Sequence, residues 1–379
     1  RDMPTGLVGS EMCIRDRDVR DADRTGIVLT CADLGTVMVE IWAWDTEGQG
    51  DFCETYVLVQ DNLNNLCGQS GGTGQIAGLI GTEDEDMLEG AQVNLSGQML
   101  MTYQTDDDGF YGFSNLREGY DYTVAPNLDK NHLNGVSTYD LVLITKHILG
   151  LETLGSPYKL IAADVNNSRT ITALDLIQLR RLILTIDTEF RNNASWRFVD
   201  AAHKFNNPAN PWSEGWPEVI NFNDLAAPIS DADFVSIKIG DVSGNANVNA
   251  LSGSAPRTLH GSFPIDVQRS IENDQTKIAF TAADIASIQG YQFTLELDAS
   301  LELANIEYGV ASEEHFGLHL LERGMITTSW NGQPTTDNGS RTPLFTLVLN
   351  GELDGNLRDL IEISSAATEA EAYDQSGEL

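Results

Sequence analysis

Two acidic loops, residues 129–140 and 164–175, space their oxygen-bearing side chains in the same way. Each has Asp, Asn, Ser or Thr at positions 1, 3, 9 and 12, and the sequence then turns apolar. Calcium takes about six to eight oxygen ligands in flexible geometry, and calcium loops supply them at alternate positions and end in a carboxylate. The pattern therefore predicts two calcium loops, each followed by a helix.

The loop at residues 164–175 has an oxygen donor at every position where a calcium loop needs one. Its position 6 is Arg169, where calcium loops usually have glycine because the turn requires a positive φ. We therefore expect weaker binding than in an ideal loop. The predicted ligands are the side chains of Asp164, Asn166, Ser168, Thr172 and Asp175 and the carbonyl of Thr170.

The loop at residues 129–140 has a less complete ligand set. Leu133 at position 5 has no side-chain oxygen, so this loop is either a weakened calcium site or metal-free. For both loops the alternative interpretation is that the aspartate only caps the following helix. The predicted ligands here are Asp129, Asn131, Ser137 and Asp140.

A partial third loop begins at Asp241, where residues 234–245 echo residues 159–168. Its position 12 is Ser252, which is a weak calcium ligand. The sequence leaves open whether residues 241–252 bind metal. The other oxygen donors are Ser243, Asn245 and Asn249.

Helical periodicity follows both complete loops, over residues 140–149 and 175–184. Each segment gathers apolar residues on one face: Leu141, Ile144 and Ile148 in the first, and Leu176, Leu179 and Ile183 in the second.

This tandem loop–helix arrangement resembles a dockerin type I module. The resemblance implies Ca²⁺ as the cofactor and a cohesin-like or other β-sandwich domain as the partner, in cis or in trans. The exposed faces of the two helices would then form the docking surface. The charged side chains available on them are Lys146, His147, Arg180 and Arg181.

Residues 18–67 alternate apolar and polar in short runs. Val37–Trp44 and Thr55–Gln60 predict strands. Together with Leu29–Thr36 and Phe52–Cys53, they resemble part of an immunoglobulin-like repeat of the hyaline-repeat type. Such repeats occur in tandem on bacterial surface proteins.

Cys31 and Cys53 fall on or beside the predicted strands of this repeat. A disulfide between them would imply an oxidising compartment. The alternative is that these two cysteines and Cys67 are buried thiols. The sequence has no CxxC motif, which disfavours zinc.

Two further modules consist of predicted strands. Residues 76–126 resemble a transthyretin-like sandwich of the carboxypeptidase-regulatory or collagen-adhesin B type, with a hairpin turn in Thr105–Phe113. Residues 262–379 alternate cleanly in runs such as Thr276–Thr281 and Gly290–Leu297. They resemble a cohesin or carbohydrate-binding-module sandwich that lacks at least its final strand.

The expected fold class is mainly β and multidomain, with several antiparallel β-sandwiches joined by a small α-helical calcium-loop module. Residues 1–17 were set apart because Gly6–Arg17 resembles a translated sequencing adapter. The predicted boundaries are 18–67 for the partial immunoglobulin-like domain, 68–75 for a linker, 76–126 for the transthyretin-like sandwich, 127–250 for the dockerin-like module with an insertion, 251–261 for a second linker and 262–379 for the cohesin-like sandwich.

The formal net charge of −35 restricts the partners. The chain has 22 Lys and Arg against 57 Asp and Glu, so it repels nucleic acid and anionic lipid and attracts hard cations. No apolar run approaches the length of a membrane span. We expect a secreted or cell-surface bacterial protein, of which this chain is an internal part.

No catalytic motif is recognisable, whether a nucleophile elbow, a zincin helix, a phosphate loop or a dinucleotide fingerprint. We therefore expect a non-catalytic assembly or adhesion segment. The alternative is an accessory carbohydrate-binding region of a polysaccharide-degrading enzyme, with its catalytic domain elsewhere. In that case Tyr291, Trp330 or Tyr373 would stack on the sugar rings of a polysaccharide.

Overall fold

The computed structural model describes residues 11–15, 29, 35–44, 50–60, 74–249, 261–283, 285–332, 343–353 and 355–374. The chain divides into two compact units. The first comprises Arg1–Ile80, Gly90–Asn127 and Pro217–Phe234. The second comprises Gly81–Glu89, Leu128–Trp216 and Val235–Leu379.

The described elements are mostly strands, and the predicted fold class is confirmed. The helices are α1 (Thr138–Ile148), α2 (Pro157–Ala163) and α3 (Ala173–Ile183). The first eleven strands are β1 (Glu11–Arg15), β2 (Gly35–Trp44), β3 (Gly50–Val59), β4 (Gly74–Gly81), β5 (Gln92–Gly97), β6 (Met101–Gln104), β7 (Phe110–Leu116), β8 (Tyr122–Asn127), β9 (Trp196–Asp200), β10 (Ile220–Phe222) and β11 (Phe234–Lys238). The later strands are β12 (Ile265–Glu272), β13 (Gln275–Ala282), β14 (Ile288–Leu297), β15 (Leu303–Tyr308), β16 (Phe316–Gly317), β17 (Met325–Asn331), β18 (Phe345–Asn350), β19 (Ile361–Ser364) and β20 (Glu371–Asp374).

The first unit contains a three-stranded antiparallel sheet in the order β1-β2-β3. Its first strand falls within residues 1–17, which the sequence analysis set apart, and Glu11 lies opposite Trp44. The predicted disulfide cannot be placed, because Cys31 lies outside the described residues. Only the backbone of Cys53 is described, as part of β3.

The first unit also contains the predicted transthyretin-like region. One sheet has the order β10-β8-β5-β6, and β7 pairs with β4. Residues 217–234 belong to this unit, whereas the predicted boundary assigned them to the helical module. The reason is backbone pairing: Ile220 lies opposite Val124, and the Ile229 N–H donates to the Gln75 carbonyl at 2.8 Å.

In the second unit, the two long helices of the helical module, α1 and α3, begin with similar N-terminal caps. Ser137 and Thr172 are the N-caps of α1 and α3, and Asp140 and Asp175 complete a capping box in each helix. Both helices therefore start two residues before the predicted position. The interpretation of these aspartates as N-caps is corrected, since the hydroxyl residue at loop position 9 caps the helix.

The predicted apolar faces of α1 and α3 form most of the helical core. Leu141, Ile144, Leu179 and Ile183 are buried, whereas Ile148 at the end of α1 is 38 % exposed. Strands β9 and β11 pair beside the helices. The other buried members of this core include Val136, Ile161, Val165, Leu182, Phe190, Val199, Ile237, Ile239 and Val242.

The C-terminal sandwich of the second unit consists of two antiparallel sheets. One has the order β12-β13-β18-β15; the other has the order β16-β17-β14-β19, with β20 also paired to β14. Alternation along β13, β14 and β18 points one face of each sheet inward. Phe280 and Phe345 stack within the shared core at 4.6 Å between ring centroids.

Phe280→Ala is expected to lower the free energy of unfolding by about 3–5 kcal/mol, because the ring is buried and its removal leaves a cavity. Ile271→Ala is the matched control, since Ile271 is 50 % exposed and should change stability by less than about 0.5 kcal/mol. Urea unfolding of the full chain measures both changes. Equal effects of the two substitutions would contradict this description of the core.

Candidate metal centre and docking face

Loop 164–175 is held closed by its first and last carboxylates. Asp164 accepts the N–H of Ser168 at 2.8 Å on one oxygen and that of Arg169 at 2.7 Å on the other. Asp175 accepts the N–H of Asn166 at 3.1 Å and that of Thr172 at 2.8 Å. The two aspartates thus fix opposite ends of one loop at the start of α3.

The amide oxygen of Asn166 is the donor in this loop that most clearly fits a cation. It is buried and has no hydrogen-bond partner, although a buried acceptor left unsatisfied costs about 1–3 kcal/mol. The hydroxyl of Ser168 lies 3.1 Å from the Thr170 carbonyl. These neutral oxygens and the two carboxylates are the donors that calcium prefers, so the residues present fit the ion.

The backbone of this loop matches the turn that a calcium loop needs. Arg169 at position 6 has a φ of 68° and Asn167 has a φ of 56°. A left-handed conformation costs a non-glycine residue roughly 1–2 kcal/mol. Arg169 therefore adopts the expected turn at a cost that glycine would avoid.

Burial shifts the acidity of both loop aspartates. Removal from water raises the pKa of Asp164, and it raises the pKa of Asp175, to which the nearby charge of Asp164 adds. A cation between the two carboxylates would oppose both shifts, since it favours the ionised form.

The structure does not bring the predicted ligands of residues 129–140 together. Asp129 is exposed and accepts the N–H of Ser195 at 2.8 Å, and it pairs with His132 at 3.1 Å. Asn131 is also exposed. Ser137 and Asp140 are buried, and no hydrogen bond among the described residues links them to Asp129 or Asn131.

Helix α1 packs on β14 and β17 of the C-terminal sandwich. The Thr138 N–H donates to the Gln292 side-chain carbonyl at 2.6 Å, and the Thr138 hydroxyl lies 2.7 Å from that of Ser329. Farther along the contact, the rings of Tyr139 and Tyr373 stack at 5.4 Å. The start of α1 is therefore fixed to the sheet by hydrogen bonds that are buried.

Helix α3 meets the same sandwich through its last turn. The hydroxyl of Thr327 donates to the Leu184 carbonyl at 2.8 Å, and that of Thr368 donates to the Ile183 carbonyl at 2.7 Å. Carbonyl groups at a helix end have no partner within the helix. The sandwich supplies partners for them, which fixes where α3 ends.

Of the four charged residues predicted for docking, Arg180 lies in this contact. Its guanidinium donates to the Asn331 side chain at 2.5 Å, and its side chain is 12 % exposed. Lys146 pairs with Glu152 at 3.4 Å instead. Arg181 binds Asp187 at 2.6 Å. Arg180 therefore contributes to docking on this sandwich, whereas Lys146 and Arg181 bind acids within the helical module.

Two glycines let the helices approach the sheet closely. A Cβ on Gly290 would lie 2.9 Å from a methyl carbon of Thr138. A Cβ on Gly317 would lie 2.9 Å from the Leu184 carbonyl oxygen. Sequence reasoning missed this face, although the run Thr327–Ser329 in a strand flanked by apolar residues is a signal that could have indicated it.

The aromatic residues predicted to stack on sugars are buried. Tyr291 is 1 % exposed, Trp330 is 3 % exposed and Tyr373 is 4 % exposed. Tyr291 and Trp330 stack on each other at 5.3 Å. The prediction of a glycan platform at these residues is wrong, because none of the three presents a free ring face.

Among the described residues, no three His, Cys, Asp or Glu side chains come together as a metal-binding group. Loop 164–175 contributes only two carboxylates, and its other donors are hydroxyl, amide and carbonyl oxygens. Within the same residues, no helix has the length and apolar character needed to cross a membrane.

Residues 128–184 match the family model of the dockerin type I domain, which spans both predicted loops and all three helices. Among solved structures, the chain is similar to the crystal structure of BcpA, the major pilin subunit of Bacillus cereus, at 19 % identity with a TM-score of 0.13. That similarity covers 25 % of this chain and 29 % of the pilin chain. A search of curated proteins finds no match.

Calcium is expected to raise the melting temperature of the full chain, and Asp175→Asn to reduce that gain. One site adds about 2.7 kcal/mol at a calcium concentration of 100 times its Kd. Thermal melts in calcium and in chelator measure the gain.

Asp187→Asn is the control for this prediction, because Asp187 binds Arg181 outside the loop. This variant should gain as much from calcium as the unmodified chain. An equal gain in Asp175→Asn, or no gain in any chain, would contradict calcium binding at loop 164–175.

Proposed function

We propose that residues 128–216 and 235–249 form a calcium-stabilised, dockerin-like assembly module that docks in cis on the C-terminal sandwich. The observation that carries this proposal is the contact of α1 and α3 with the sandwich through Thr138, Arg180 and the carbonyls of Ile183 and Leu184. The match of residues 128–184 to the dockerin type I model supports a role in protein–protein assembly.

Docking in cis makes the module a joint within one chain. The helix ends that would receive a separate β-sandwich partner already have hydrogen-bond partners on the sandwich at residues 262–374. Opening this contact would break the hydrogen bonds of the Arg180 guanidinium and of two helix-end carbonyls, which would then have to bind water. A cohesin-like domain on another protein would therefore have to displace the sandwich to use the same face.

Calcium would supply the positive charge that lets Asp164 and Asp175 remain ionised while buried. The chain's own residues do the rest: Thr172 caps α3, and Asp175 joins the loop to the first turn of that helix. A closed loop fixes the direction in which α3 leaves it. The last turn of α3 then meets Thr327 and Thr368.

The wider setting follows from charge and composition. A net charge of −35 and calcium loops suit an environment rich in calcium, as outside the cell. We assign the chain to a secreted or cell-surface multimodular bacterial protein, in which this segment is non-catalytic and serves assembly or adhesion.

Cutting the full chain between residues 250 and 261, at an inserted protease site, should leave its two pieces associated. Arg180→Ala should weaken their association by about tenfold or more, since hydrogen bonds to charged groups contribute about 1.5–3 kcal/mol. Size-exclusion chromatography and titration of the purified pieces measure this association.

Arg181→Ala is the matched control, because Arg181 is the next residue on α3 and binds Asp187 within the module. Its pieces should associate as tightly as those of the unmodified chain. Pieces that separate on cutting, or an Arg180 variant that associates normally, would contradict docking in cis.

Acid should weaken the region around Arg180 through His315. Burial, together with the nearby charge of Arg180, lowers the pKa of His315 to about 4. In the unfolded chain a histidine titrates near 6.5, at about its reference value. The unfolded state therefore binds more protons between these pH values, and the free energy of unfolding falls as the pH drops through this range.

His315→Gln removes this titration, so stability should depend less on pH in the variant than in the unmodified chain between about pH 6.5 and 4. Urea unfolding at several pH values, together with an NMR titration of His315, measures the difference. Parallel pH dependence of the two chains would contradict the lowered pKa.

A further inference from the structure

A second loop with the geometry of residues 164–175 is assembled from two separate stretches of the chain. Its first half follows Asp241, whose carboxylate accepts the N–H of Asn245 at 3.4 Å on one oxygen and that of Ala246 at 2.8 Å on the other. Asn245 and Ala246 follow Asp241 at the same spacing as Ser168 and Arg169 follow Asp164. In both loops, the first aspartate therefore accepts the backbone N–H groups of the residues four and five positions later.

The second half of this loop is the segment that leads into α1. Asp140 accepts the N–H groups of Val242 and Ser243 at 2.9 Å each on one oxygen. Its other oxygen accepts the N–H of Ser137 at 2.8 Å. Asp175 makes the equivalent bonds within its own loop, to Asn166 and Thr172. Asp140 therefore closes the loop that begins at Asp241.

The two halves join where residues 134 and 135 meet residues 246 and 247. Asn134 donates to the Asn247 carbonyl at 2.8 Å and accepts the Asn247 N–H at 3.0 Å. Gly135 has a φ of 71°, and a Cβ on it would lie 2.5 Å from the Ala246 Cα. Only glycine permits this approach, so the junction is specified by the sequence.

The two carboxylates of the composite loop are buried without an ion pair. Asp140 is fully buried and Asp241 is 7 % exposed. Among the described residues neither makes an ion pair; the buried ammonium group of Lys238 is near enough to interact with both charges, but it donates its hydrogen bonds to the carbonyls of His132 and Ile239. Buried charges need a partner or a metal ion.

We propose that this composite loop is a second calcium site, formed by residues 241–247 and 136–140 in place of the continuous loop 129–140. Position by position, its donors match those of loop 164–175. They are the side chains of Asp241, Ser243, Asn245, Ser137 and Asp140 and the carbonyl of Asn247. Asp129 takes no part, because its carboxylate binds Ser195 and His132. The inference rests on the proposed calcium-stabilised module.

Calcium titration of the full chain by calorimetry tests this proposal with three matched Asp→Asn substitutions. The unmodified chain should bind two ions. Asp241→Asn and Asp164→Asn should each leave one, because each removes a carboxylate from a different loop. Asp129→Asn should still bind two.

Ser243→Ala is a milder variant, which leaves both carboxylates in place. It should weaken one of the two sites by about tenfold without lowering the folded fraction seen by circular dichroism. It therefore tests the composite site even where Asp241→Asn fails to fold.

Two ions in Asp241→Asn and unchanged affinities in Ser243→Ala would overturn the composite site. The loss of one ion in Asp129→Asn would also overturn it, because the second site would then lie in the continuous loop 129–140. One ion in the unmodified chain, lost in Asp164→Asn alone, would overturn this inference and leave the proposed function standing. No binding at all would overturn both.

Discussion

The first turn of each long helix of the module contains a buried aspartate, and the arrangement of the module depends on what those carboxylates bind. Asp175 and Asp140 each occupy the third position of a helix, where the helix dipole and the N-cap residue favour a negative charge. Each also reaches back to backbone N–H groups of a loop. In both halves of the module, the same carboxylate therefore closes the loop and stabilises the start of the helix.

Closure of the loops has consequences at the far end of the helices. The direction of α3 is set where Asp175 meets Asn166, and at its other end the carbonyls of Ile183 and Leu184 accept the hydroxyls of Thr368 and Thr327. The sheet receives them with small and polar residues, since Gly317 leaves space beside Leu184. The polar character of this face is a requirement of docking, because an apolar side chain there would leave helix-end carbonyls without partners.

The sequence predicted loop 164–175, the helices and the mainly β architecture because each of these depends on local spacing. Positions 1, 3, 9 and 12 and the period of apolar residues lie within one stretch of chain. Both helices begin two residues earlier than predicted, because the hydroxyl residues at loop position 9, Ser137 and Thr172, are the N-caps instead of the aspartates. The junction of Gly135 with Ala246 could not be predicted, since a loop pattern read along the chain does not include closure between distant segments.

The docking face was missed for a related reason. The alternation along β14 and β17 suggests one buried and one solvated face, and the alternative interpretation separately assigned Tyr291 and Trp330 to sugar binding. The structure instead buries these aromatics, together with Thr327 and Ser329. Burial on both faces of a sheet depends on a second layer, which the pattern of a single strand does not reveal.

Diffraction from crystals of the full chain grown in calcium, recorded at a long wavelength where calcium scatters anomalously, tests calcium binding by the two loops most directly. We expect two anomalous peaks, one between Asp164 and Asp175 and one between Asp241 and Asp140, with α1 and α3 against the C-terminal sandwich. A peak at Asp129, or no peak at either pair of aspartates, would contradict it.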